Sequence, residues 1–437
     1  MSAAPHFPTP NNHLSLMLIL LFLIISIGAK AQESSEVFTD KIYLPSIKTI
    51  QLYVDPLMLT DPAIPLGGAS QLHLEFDDLE GDKKNYYYTL IHCNFDWTAS
   101  DLSPFDYLKG FKEQDITDFS FSFNTRQSYS HYDLLFPNEN ITPTKSGNYI
   151  LKVYLDNDPE KIAFTKRFII FESKAQLITN VHKPTDVRFT DIYQEVDFVL
   201  NYRGISISNP VSDVKVLLMQ NFRWDNAITN LQPLFMRTTE LDYSYDIENA
   251  FPAGKEFRYF DTRSVRYRTE RVRDIQAEVS KTEVFLTPDV SRGNQPYLFH
   301  KDINGKLVPG IIEGFNQKAE PDYVWVTFTL PFDYPLRSTN IYIIGQLTEW
   351  QMKDEFMMHY DSDARKYEAR VYLKQGYYEY QFVTLEEKGE IADSELFEGN
   401  SYETENTYQI FAYYRSFGSR YDEVICYKAT DSFNNNR

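Results

Sequence analysis

The sequence predicts an all-β protein built as three tandem β-sandwich domains behind an export signal. Three observations carry that prediction. Tyr and Phe number 32 each among 437 residues, and aromatic side chains favour pleated, half-buried surfaces over helical bundles. After residue 32 no segment repeats apolar residues at i, i+3, i+4 and i+7 over three turns, whereas period-two alternation recurs throughout. Turn residues separate these alternating runs into short strands, the pattern of packed two-sheet domains.

The elements follow in chain order. Leu14 to Ile27 is an almost unbroken apolar run, too short to span a bilayer, and Ala29-Lys30-Ala31 offers small residues where a signal peptidase reads. Residues 1–31 are therefore expected to be a signal peptide cleaved before Gln32, although Met1 to His13 lacks the usual basic start. No cysteine follows the run and no second long apolar segment occurs, so no lipid anchor or membrane span is expected after cleavage. A first sandwich is expected over 32–173. It contains a short helical turn, Ser103-Pro104 to Gly110, with a capping Ser, an N-terminal Pro and a terminal Gly. Its strand Asn148–Leu155 puts Tyr149, Leu151, Val153 and Leu155 on one face, and Ala163–Phe171 returns the chain. A second β-rich domain is expected over 174–320, with strands Val196–Tyr202 and Val214–Gln220. There Asn304-Gly305 suits a tight hairpin between Leu298–His300 and Lys306–Val308. A third sandwich is expected over 321–415, opening with the alternation of Val324, Val326, Phe328 and Leu330, and a polar tail over 416–437.

Charge narrows the function. The formal net charge is −19, which repels phosphate backbones and anionic lipid, so nucleic-acid binding is not expected. The two cysteines, Cys93 and Cys426, fit neither a disulfide scaffold nor a paired-Cys zinc site. The histidines after residue 32 are His73, His92, His131, His182, His300 and His359, none paired at metal spacing in the sequence. Zinc-protease, phosphate-loop and nucleophile-elbow motifs are absent, so no enzyme, metal or cofactor is expected. Cys93, beside His92 and upstream of His131, is a candidate nucleophile, yet a small buried residue explains it more simply. Asp77-Asp78-Leu79-Glu80-Gly81-Asp82 lacks calcium-loop spacing and reads as a solvated hairpin tip. One stretch opposes the acidic whole: Arg258, Arg263, Arg266, Arg268, Arg271 and Arg273 fall within 16 residues. Arg266 and Arg268 would share a strand face, and the six are candidate partner-binding residues for carboxylates; a charged edge strand is the alternative.

Several passages read together as a family: His92-Cys93-Asn94-Phe95-Asp96-Trp97, Phe123-Asn124-Thr125, Phe136-Pro137-Asn138-Glu139, Ser146-Gly147-Asn148-Tyr149, Glu256-Phe257-Arg258-Tyr259-Phe260-Asp261 and Asp302-Ile303-Asn304-Gly305. They resemble the plug protein of the type IX secretion system of Bacteroidetes, over roughly Ile42 to Leu307. The resemblance implies a non-enzymatic periplasmic protein, monomeric within its complex, that closes the periplasmic mouth of a giant outer-membrane translocon barrel when no cargo occupies it. The third block, with Ile341 to Trp350 and Gly376 to Val383, is similar to early-set, immunoglobulin-like glycogen- and starch-binding modules. That likeness implies the alternative of a periplasmic carbohydrate-binding accessory. Tyr378, Tyr380 and Phe382 nevertheless sit at strand alternation and are expected in the core.

Overall fold

The computed structural model describes residues 38–386, 389 and 392–433; the expected signal peptide, 1–31, lies outside them. Strands make up 46% of the described residues and helix 4%, in agreement with the all-β expectation. Among the described residues no helix is long and apolar enough to cross a membrane.

The first sandwich forms because its alternating strands have two apolar faces to bury. One sheet orders Lys41–Ile42, Ile162–Phe171, Gly147–Leu155, Tyr86–Cys93 and Glu113–Asp115, with Ala63–Pro65 added in parallel beside Ile162–Phe171. The other orders Ile47–Val54, Leu72–Asp78, Ser130–Phe136 and Asp118–Phe121. Tyr149, Leu151 and Val153 enter the core between the sheets, with Leu155 packed at its margin, as their alternation requires. The aromatic richness is used here: Phe76 stacks on Tyr132 at 5.0 Å between centroids, and Tyr86 meets Phe76 edge-on at 5.1 Å. Buried hydroxyls find acceptors, Tyr86 donating to Asp78 at 2.9 Å and Tyr149 to the Lys145 carbonyl at 2.8 Å. The expected helical turn is present as Pro104–Tyr107.

The sheets depart from the expected order of blocks. The second sandwich sets Gln176–His182, Tyr193–Asn201, Glu240–Asp242, Phe235–Arg237 and Ala250–Pro252 against a three-stranded sheet of Val214–Gln220, Thr407–Tyr414 and Glu423–Asp431. Residues 423–431, expected in a polar tail, are thus a strand, with Val424, Ile425 and Cys426 buried. The third sandwich starts before residue 321, because Arg258–Asp261, Val272–Ala277, Thr282–Leu286 and Leu307–Pro309 all join its nine-stranded ladder. That ladder curls on itself, so Phe260 and Val272 from its two ends share one core with Phe328, Tyr380 and Phe382. Alternation identifies each of these strands but carries no information on which sheet it enters. The turn at Asn304-Gly305 forms with φ of 56° and 74°, yet 298–300 are not a strand; Leu307–Pro309 pairs with Gly376–Glu386 instead.

Two interfaces fuse the sandwiches. The outer face of the first, with Cys93, Ile150 and Ile169, packs on the outer face of the second, with Leu217, Met219, Phe411, Tyr413 and Val424. The first meets the third through buried charge. Asp77 lies 2.7 Å from the Lys374 ammonium, accepts from the Tyr323 hydroxyl at 2.7 Å, and sits 2.7 Å from His131 Nδ1. Asp77 and Asp78 are therefore enclosed, not at a solvated tip, whereas Glu80 and Asp82 remain in water. Burial alone would raise the Asp77 pKa, but Lys374 and His131 outweigh it and hold the carboxyl below its usual range.

Removing one member of a buried pair strands the other, so Lys374→Met is expected to cost about 3–5 kcal/mol in urea unfolding. Lys48→Ala, at the exposed Lys48–Glu355 contact of 3.2 Å, is expected to cost at most about 1 kcal/mol.

Candidate partner-facing surface

The arginine stretch is the sequence's own candidate, and the fold divides it. Arg258, on a strand paired with Gly376–Glu386, points inward and is buried. Its guanidinium lies 2.9 Å from Asp289 and 2.9 Å from Glu398. Arg292 reaches Glu398 at 2.5 Å, Arg271 reaches Asp289 at 2.7 Å, and the Tyr380 hydroxyl donates to Asp289 at 2.6 Å. Burial would raise the Glu398 pKa, but Arg258 and Arg292 outweigh that and keep the carboxyl ionised. Arg258 therefore bolts the third sandwich together and is closed to partners, and Arg271 is largely spent on the same network. Arg263 folds back on Asp261 at 2.7 Å.

Arg266, Arg268 and Arg273 are exposed. Residues 262–271 form a loop between Arg258–Asp261 and Val272–Ala277, so Arg266 and Arg268 do not share the strand face expected for them. The loop arises because Thr262 anchors to the Gly376 carbonyl at 2.8 Å and ends the ladder there. Arg268 touches Asp274 at 3.1 Å, while Arg266 and Arg273 have no carboxylate within ion-pair distance among the described residues. Arg266 and Arg268 on the loop, with Arg273 on the strand that follows it, offer bidentate donors to an acidic surface.

Sequence reasoning missed a second exposed feature. Phe105, in the helical turn of the first sandwich, and Phe417, on a loop of the second, are 83% and 103% exposed, and the two segments are tied by the Arg420–Asp106 pair at 3.1 Å. The only signal was an aromatic in the first turn of a capped helix, which sequence alone does not place in water. A cleft of about 530 Å³ beside Leu59, Lys301 and Tyr427 is crossed by the protein's own Asp61–Lys306 pair at 2.7 Å.

The nucleophile reading of Cys93 finds no support in the geometry. Both cysteines are free and buried, and burial pushes the Cys93 thiol up to about 12. His131 is engaged with Asp77, and His92 turns its Nε2 to the Ser146 carbonyl at 3.1 Å and its Nδ1 to Ser100 at 2.9 Å. That contact explains the Ser146-Gly147 pair: Gly147 has φ 151°, and a Cβ there would stand 2.4 Å from His92 Nε2. Tyr378, Tyr380 and Phe382 are core residues, so these rings present no face for stacking on sugar.

The model of the type 9 secretion system plug protein 1st domain matches residues 47–172. These bounds run from Ile47, the first residue of one sheet, to the end of Ile162–Phe171 in the other, which is the first sandwich. A crystallised hypothetical protein from Parabacteroides merdae is 34% identical with a TM-score of 0.87, the likeness covering 91% of this chain and 100% of that one. Residues 47–172 are a plug-family first domain. No protein of curated function matches the chain. The matched segment includes Asp77, Cys93 and Trp97, so this plug-family first domain carries the surfaces that hold the second and third sandwiches. The likeness to the Parabacteroides protein extends that arrangement over nearly the whole chain.

Two outcomes follow. Both thiols should stay silent toward a bulky disulfide reagent until the protein is unfolded, then react together. His92, held neutral down to a pKa of about 4 chiefly by burial, has a folded value below its unfolded one. Its contribution is complete above about pH 6.5 and is lost as pH falls toward 4, roughly 3 kcal/mol in all. Thermal melts between pH 7 and 4.5 should show that loss, and His92→Asn should flatten it.

Proposed function

We propose that this chain is a non-enzymatic periplasmic plug that closes the periplasmic opening of the type IX outer-membrane translocon barrel in its cargo-free state. The observation that carries the reading is the joining of a plug 1st domain to two further sandwiches through buried interfaces. Closing a wide aqueous opening requires a body whose parts do not flex apart under a diffusing solute. Linked domains with small wet interfaces would swing, whereas a buried ion pair and an apolar seam between sheets resist shear. A net charge of −19 keeps such a body soluble, and exposed Arg266, Arg268 and Arg273 give it a localised cationic contact for an acidic rim. A polar contact of this kind is screened by salt and releases readily, which a plug that must leave for cargo needs.

A tagged pull-down from gently solubilised envelopes of the native host tests the reading. The expected result is a giant outer-membrane barrel recovered in near-equal amount, and loss of most of that recovery in the Arg266→Glu, Arg268→Glu, Arg273→Glu triple variant. Recovery of the wild-type protein alone, from membranes that still contain the barrel, would refute the plug reading. Barrel recovery unaffected by the triple variant would instead remove these three arginines from the contact.

A further inference from the structure

Outside the surfaces described above, the second sandwich brings together one imidazole and two carboxylates that the sequence keeps 13 and 15 residues apart. His182 ends Gln176–His182, and the ladder sets it directly opposite Glu195, with Asp197 two residues further along the same face of Tyr193–Asn201. Nε2 of His182 lies 2.9 Å from Asp197 Oδ2 and 3.5 Å from Glu195 Oε1, and one donor atom from each residue falls within 4.8 Å of the others. Three donors about 2 Å from a tetrahedral metal stand about 3.3 Å from one another, and the two distances from His182 Nε2, 2.9 and 3.5 Å, bracket that value.

The hydrogen bonds behind these atoms point the same way. His182 Nδ1 is 2.7 Å from the Lys183 carbonyl, which can only accept, so Nδ1 carries the ring proton. A neutral ring then aims its Nε2 lone pair at two carboxylates, an arrangement that requires a cation between them or a second ring proton. The far oxygens are anchored too: Thr185 N–H donates to Glu195 Oε2 at 2.8 Å, and Asn249 Nδ2 donates to Asp197 Oδ1 at 3.1 Å. Each prospective ligand thus has a partner fixing its orientation, as metal-bound histidines and carboxylates do. Among the described residues no Lys or Arg pairs with Glu195 or Asp197, and Lys183 turns instead to Asp191 at 2.9 Å. The analogous trio His73, Glu75 and Asp133 differs on this point, because the Lys318 ammonium already sits on both of its carboxylates, 2.7 Å from Glu75.

We infer that His182, Glu195 and Asp197 hold a divalent transition-metal ion of the zinc type, with water completing the coordination. Glu195 is enclosed at 2% exposure, whereas His182 and Asp197 keep 31% and 22%, so the ion would enter from solvent and staple the base of the hairpin joining the two strands. The imidazole favours zinc over the all-oxygen surroundings that calcium takes.

Calorimetric titration of the chelator-treated protein with Zn²⁺ tests this. The expected result is one equivalent bound at the site, weakened at least about 100-fold by His182→Gln and by Asp197→Asn, and unchanged by His73→Gln. Both weakened positions are partly exposed, and unaltered circular dichroism of the metal-free variants would show that they fold. Zinc affinity indifferent to His182→Gln, calcium bound as tightly as zinc, or no zinc heat at all would each overturn the assignment; the last leaves a doubly protonated His182 as the counter-charge.

Discussion

An ammonium and a carboxylate taken out of water together set the alignment of the molecule. Lys374 and Asp77 lie on different sandwiches, and neither has solvent to fall back on. Any sliding of the first domain against the third would leave two buried charges apart, a state costing several kcal/mol per ion. The surrounding groups sharpen this constraint. Tyr323 donates to the same carboxylate, and Asp322 takes the backbone N–H groups of Arg126 and Gln127 at 2.9 and 3.0 Å, so the register is fixed at several points along one seam.

The seam between the first and second sandwiches works differently. Its contacts are apolar and would tolerate sliding on their own, since burial of area has no preferred direction. Direction comes from a few polar insertions. Tyr413 donates to Asn148 at 2.8 Å within the seam, and the Arg167 guanidinium lies 4.5 Å from the Trp97 ring and 4.9 Å from that of Trp224, joining two tryptophans from different domains. One sheet of the first sandwich is thereby buried on both faces. This is why Ile150 and Ile169, at positions that alternation assigns to solvent, are fully enclosed.

Much of the local structure was legible in the sequence. Tyr149, Leu151 and Val153 point into the core as their spacing requires, and the capped turn at Pro104 forms. What alternation could not supply was partnership. Thr407–Tyr414 reads as one more strand, and only its packing against Val214–Gln220 shows that it belongs to the middle sandwich. The same limit governed the candidate site. Six arginines in a row look alike, but Asp289 and Glu398, distant in sequence, draw Arg258 inside and leave Arg266, Arg268 and Arg273 outside. The Asp77 to Asp82 run misled for a related reason, since its cation comes from a residue nearly 300 positions later. His182, Glu195 and Asp197 showed no local spacing because a hairpin, not a motif, brings them together.

The middle sandwich opens with Gln176–His182 and is completed only by Thr407–Tyr414 and Glu423–Asp431, with the third sandwich lying between in the chain. A chain emerging from its N-terminus can close its first and third cores while the middle one still has a bare sheet. The middle domain is therefore the last to become whole, although its first strands appear early. Its exposed edge, Val214–Gln220, must wait for partners about 190 to 200 positions downstream, the kind of long-range pairing that folds slowly and invites misassociation. Growth of the molecule from one end thus finishes in its centre.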